Sequence, residues 1–235
     1  MADTDSTAPP APLERRERRW SHLALVAVIA AGLLVIGGAT AVALGIGRAP
    51  TPTSDSVDAG FARDMANHHL QGVEMANLAL QRSADPEVRG LAFDISSTQT
   101  NQAGRMQGWL GLWGLPPSGG EPMAWMTGAD AGMTMDMGAS TAAGGMPGMA
   151  TEQELAELRT LTGAAFDVRF LQLMIRHHGG ALPMAQDAAE HADQAAVRSL
   201  ARSIASTQQA EVNTMEEMIR ARGGAAPAAA GEQPD

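Results

Sequence analysis

Two pairs of adjacent histidines, His68-His69 and His177-His178, carry most of the chemistry this chain could perform. Met65 and Met174 precede the pairs, and Met75 and Met184 follow them. Imidazole nitrogen suits copper, zinc and iron, and thioether sulfur narrows the choice toward Cu(I). Residues three and four apart are neighbours on a helix, so each pair shares a face with its preceding methionine. Four imidazoles buried among apolar side chains are costly to keep without strong partners. The leading expectation is therefore a soft transition-metal site made of His68, His69, His177 and His178 with Met65, Met75, Met174 and Met184 beside them. The competing expectation is four core histidines hydrogen-bonded to polar groups, with the methionines filling gaps.

The two pairs belong to a duplication. An offset of 109 residues maps Asp58 to Asp167, Phe61 to Phe170, Met65 to Met174 and Met75 to Met184. It also maps Ala79 to Ala188, Ile95 to Ile204, Gln99 to Gln208 and Met106 to Met215. On a helical wheel the positions shared around each pair fall within about 120° of arc, the stripe a helix buries in a bundle. Gly72 lies on that stripe and its counterpart is Ala181; both are small, which leaves room for a ligand or a close helix.

Element signals then position the stripe. The first hairpin, residues 57–115, turns at Ser83-Ala84-Asp85-Pro86, where Asp85 is a good N-cap and Pro86 suits the first helical position. The second, residues 151–224, opens on the capping box Thr151-Glu152-Gln153-Glu154. Gly163 separates a short helix from the one carrying His177 and His178, and Pro183 should kink the latter. Gln99 and Gln208 lie on apolar faces, where a buried amide needs a partner such as an imidazole. Asp58 and Asp167 begin the histidine helices, as outer acceptors for the imidazoles or as partners of the helix dipole. His191 reads as a dipole partner at a helix end, and His22 as an interfacial residue. Two hairpins that cannot each bury their own stripe should pack into a pseudo-twofold four-helix bundle.

Residues 116–150 form a crossover between the hairpins. Seven of the fifteen methionines lie in 121–150. Met133, Met135, Met137, Met146 and Met149 are candidates for metal capture, or for packing onto the bundle as adaptable hydrophobes. Residues 225–235 read as a disordered tail.

Residues 22–47 hold no Asp, Glu or Arg, and Arg15, Arg16, Arg18 and Arg19 precede them. A helix of that length spans a hydrocarbon core of ~30 Å. The charge bias places residues 1–21, a disordered basic segment, in the cytoplasm and the remainder outside the cell membrane. A cleaved signal peptide followed by secretion is the alternative. Residues 48–56 form a stalk.

Composition excludes other classes. There is no Cys, so disulfides, thiolate ligands and cysteine nucleophiles are absent. Every basic residue is Arg, and the net charge of −10 argues against a nucleic-acid partner.

The pattern Asp-x-x-Phe-x-x-x-Met-x-x-His-His, present twice and followed in each copy by Met-Ala, resembles a bacterial domain-of-unknown-function family numbered three hundred and five. Met146 to Thr151 and Trp109 to Gly114 are similar to it as well. The resemblance covers roughly residues 55 to 223. It implies a ferritin-like helical fold, and a copper-binding role outside the cytoplasm through the metal-site residues named above. Gly72 stands where the family usually has Ala, and Pro183 interrupts the second histidine helix.

Three functions compete. The first is a membrane-anchored copper-binding protein that buffers, tolerates or transfers Cu(I) or Cu(II) without catalysis. The second is a metal-free helical interaction module whose methionine loop meets a protein partner. The third, a di-iron-type oxidase, needs Glu-x-x-His motifs; Met65 and Met174 occupy the place of that Glu.

Overall fold

The computed structural model describes residues 12–47, 50–126 and 145–224. Among them the chain forms six helices and no strand. We label them α1 (Pro12–Ala43), α2 (Val57–Arg82), α3 (Pro86–Leu112), α4 (Glu152–Thr160), α5 (Gly163–His191) and α6 (Ala195–Ala221). Two compact units divide the chain, Met1–Pro50 and Thr51–Asp235.

The first unit is α1. Its stretch Trp20–Ala43 is long and apolar enough to cross a membrane, and none of it is buried within the protein. At ~1.5 Å per residue those 24 residues reach about 36 Å, more than a hydrocarbon core of ~30 Å requires. The helix also takes in residues 12–21. Leu13 and the Glu and Arg residues of that stretch are good helix formers, and they extend a nucleus supplied by the apolar run.

The second unit is two antiparallel hairpins, α2 with α3 and α5 with α6, joined face to face through α2 and α5. Local signals set the ends. Ser56 caps α2 by accepting from Ala59 N, and Asp85 caps α3 by accepting from Glu87 N. Thr151 and Glu154 form both bonds of their capping box. Gly163 enters α5 at φ 60°, a conformation that favours glycine. Pro183 does not end α5, which is helical from Gly163 to His191. Met184, Ala185 and Ala188 beyond it are fully buried, so packing holds the helix past the missing donor.

The core falls into two clusters that mix the copies. One joins Phe61 and Met65 of α2 to Met184 and Ala188 of α5, and to Met126, Met146 and Met149 of the crossover. The other joins Met75 and Ala79 of α2 to Phe166, Phe170 and Met174 of α5. Each fully buried Phe, Leu or Met contributes roughly 1.5–3 kcal/mol. Neither hairpin buries this surface without the other.

Polar contacts also cross between copies. Asp58, at the start of α2, accepts from Asp193 N (3.0 Å) and Gln194 N (2.9 Å) at the start of α6. Arg222, just after α6, pairs with Asp85 and Glu87 at the start of α3. The outer faces of the histidine helices are covered differently. Trp125 lies flush on Gly60, and Asp64 accepts from Trp125 Nε1 and Met123 N, both at 2.7 Å. On α5, Arg169 and Arg176 pair with Glu154 on α4, and Arg169 also with Glu157.

Candidate metal centre

The histidine pairs meet where α2 crosses α5. All four rings are fully buried. His68 and His177, related by the internal repeat, stack with ring centroids 3.9 Å apart and planes tilted by 38°. His177 Nε2 donates to the backbone carbonyl of His68 at 2.9 Å, and His68 Nε2 donates to the Pro147 carbonyl at 3.1 Å. The outer members turn toward their own hairpins. His69 Nε2 lies 2.7 Å from Gln102 Oε1 on α3, and His178 Nε2 lies 2.7 Å from Glu211 Oε2 on α6.

One pattern runs through all four. Each Nε2 faces a carbonyl, amide or carboxylate oxygen, which accepts but does not donate. Nε2 therefore carries the proton, and Nδ1 keeps a bare lone pair. Each of the four Nδ1 atoms is buried without a hydrogen-bond partner. Leaving such an acceptor unsatisfied costs about 1–3 kcal/mol per group.

Burial also keeps three of the rings, His68, His69 and His177, neutral. Desolvation, opposed by the bond to Pro147, pushes His68 down to about 4. Desolvation and the neighbouring His68 push His69 down to about 3. His177 lies well below the ordinary value, from desolvation first and then from His68 and His178. At neutral pH no proton has to leave these three rings before Nδ1 donates to a cation.

The other candidates sit as follows. Met65, Met75, Met174 and Met184 are fully buried in the two core clusters, Met65 with Met184 and Met75 with Met174. Gln99 and Gln208 are buried, and both atoms of each amide lack a hydrogen-bond partner. The predicted amide–imidazole bond is thus made three residues further on, by Gln102, and its counterpart is Glu211. Gln99 does lie against the centre: a Cβ on Gly72 would sit 2.2 Å from Gln99 Oε1 and 2.9 Å from His177 Cε1. The small residue at 72 admits that amide and the His177 ring rather than a closer helix. Asp58 is engaged at α6, away from the imidazoles, and Asp167 Oδ1 is buried without a partner. His191 ends α5 with Nδ1 3.2 Å from Asp187 Oδ1. Met146 and Met149 are buried, whereas Met133, Met135 and Met137 lie outside the described residues. Among the described residues, no three His, Asp or Glu side chains are gathered as a ready metal site. The centre is a close, tilted imidazole pair, His68 and His177, with His69 and His178 turned to their own hairpins.

An all-α bundle with buried histidine pairs on two facing helices is the class of protein defined here. The family described as "Domain of unknown function (DUF305)" matches residues 58–219, and the chain belongs to it. A DUF305 protein of Streptomyces coelicolor is similar at 42% identity with a TM-score of 0.66, over 75% of this chain and 100% of that one. A DUF305 fragment of Deinococcus radiodurans matches at 36% identity with a TM-score of 0.55, over 72% and 97%. CopM in its Cu(II)-bound form matches at 26% identity with a TM-score of 0.54, over 71% and 97%. Among curated proteins none matches.

Proposed function

We propose that this chain is a membrane-anchored, extracytoplasmic copper-binding protein that buffers, tolerates or passes on the metal. The observation that carries this reading is the set of four buried imidazoles whose Nε2 atoms are engaged and whose Nδ1 atoms have no hydrogen-bond partner. His68, His69, His177 and His178 would hold the ion through Nδ1, with thioethers of Met65, Met75, Met174 and Met184 in the surrounding core. Imidazole with thioether, and no thiolate, suits Cu(I) and also accepts Cu(II). Gln102, Glu211 and the two backbone carbonyls orient the rings from behind, as acceptors behind metal-bound histidines do. The copper-bound CopM structure supports the reading from a relative of the same fold. The apolar stretch Trp20–Ala43 supports the anchor, and equally a signal sequence followed by secretion. Nothing in this reading requires a catalytic step.

A metal-free interaction module is the second reading. The absence of a ready three-ligand cluster among the described residues favours it. Cu(I) titration against a competing chelator separates the two. The wild-type chain should take up Cu(I) stoichiometrically, and His68→Ala/His177→Ala should lose the tight fraction. Unchanged uptake in the variant moves the site away from the histidines, and no uptake in either protein leaves the interaction module.

A further inference from the structure

The two halves of the centre obey the repeat closely, except where residues 146–150 lie across it. His69 and His178 each bond to the equivalent position of their own hairpin, Gln102 and Glu211. His68 and His177 do not behave alike. His177 uses a backbone carbonyl of α2, whereas His68 uses the carbonyl of Pro147 in the crossover strap.

The positions flanking the strap explain the difference. Residue 71 is Gln in the first copy, and its counterpart, residue 180, is Gly in the second. Gln71 grips the strap with both ends of its amide: Nε2 donates to Ala150 O at 2.9 Å, and Oε1 accepts from Ala150 N at 2.6 Å. Gly180 lets the strap lie directly on α5. A Cβ there would sit 2.2 Å from Pro147 O and 2.7 Å from Gly148 Cα. Gly148 itself has φ 79°, and a Cβ on it would sit 2.5 Å from Arg176 O. A side chain at 180 would therefore lift the strap, and a short one at 71 would release its end.

We infer that Gln71 is a positioning residue: through the strap it seats the Pro147 carbonyl on His68 and so fixes which nitrogen of that ring is bare. The two half-sites are consequently unequal. The His68 donor depends on the crossover, and the His177 donor depends only on the bundle. This inference rests on the copper reading for its functional meaning, but its structural content concerns the metal-free protein.

The test is which ring nitrogen carries the proton, read by two-bond ¹H–¹⁵N correlation on the full-length, ¹⁵N-histidine-labelled, metal-free chain in detergent at neutral pH. Wild-type His68 should show one fixed tautomer, protonated on Nε2. In Gln71→Ala and in Gly180→Ala, His68 should lose that fixed pattern and average between tautomers, while His69, His177 and His178 keep theirs. A His68 signal unchanged in Gln71→Ala overturns the inference, as does a change spread equally over all four rings. Gln71 is only half buried, so Gln71→Ala decides the matter even where Gly180→Ala does not fold. Loss of copper uptake by the His68→Ala/His177→Ala chain bears on the proposed function alone, and the tautomer result bears on the strap alone.

Discussion

Acid should loosen this bundle as pH falls below about 6.5. An unfolded histidine titrates near 6.5, whereas His68 is held at about 4 and His69 at about 3, both chiefly by burial. Between those values the unfolded chain binds protons that the folded chain refuses. Stability from these two groups is therefore fully present above pH 6.5 and falls as pH drops toward 4. From pH 7 to pH 5 each contributes a loss of about 2 kcal/mol, about 4 kcal/mol together. His177 adds to the same side, while Asp64, raised by its own desolvation, works against it. Glu154, held at about 2 by Arg176, titrates below this range. At 2–4 °C per kcal/mol for a unit of this size, the expected drop in Tm is about 10 °C. The assay is far-UV circular dichroism melting of the metal-free chain at intervals between pH 7.5 and pH 5. His68→Gln/His69→Gln should flatten much of the slope. A Tm that stays level in the native chain, or a slope that survives the double variant, would refute the idea that these rings are held neutral by burial.

Two further outcomes follow from the packing. Asp58→Ala should cost about 1–3 kcal/mol, the range for buried donors left unpaired, because Asp193 N and Gln194 N lose their acceptor; denaturant unfolding measures it, and an unchanged midpoint would mean that the cross-copy bonds contribute nothing. Phe170→Ala should cost about 3–5 kcal/mol by opening a cavity in a fully buried site. Phe93→Ala, on a side chain 61% exposed, should leave the midpoint within about 0.5 kcal/mol.

The helices are legible in the sequence because their signals are local. Ser83 to Pro86, the capping box at Thr151 and the glycine at 163 each act within one turn, at the points where α2 gives way to α3, α4 begins and α5 begins. The buried stripe is legible because duplication printed it twice. The polar supports are harder to read. Gln102 and Glu211 occupy equivalent positions, but one is an amide and the other a carboxylate, so identity between the copies passes over them. The signal that could find them is equivalence of role: both are acceptors one helical turn beyond Gln99 and Gln208, on the same face. The identical residues, Gln99 and Gln208, stand out instead, and their amides bond to nothing. Asp58 reads in sequence as a partner of its own helix, whereas it accepts from the backbone just ahead of a helix 135 residues away. The docking of residues 146–150 depends on a Gln–Gly difference between copies, which a search for sameness discards.

That difference has an architectural consequence. Asp58 reaching the start of α6 and His177 reaching the His68 carbonyl each tie one hairpin to the other. In a symmetric homodimer every substitution appears on both sides of the axis, so an amide clamp on one flank and a bare glycine on the other could never coexist. A single polypeptide is free of that constraint: one hairpin grips the connector through Gln71, while the other, bare at Gly180, lets it lie flat.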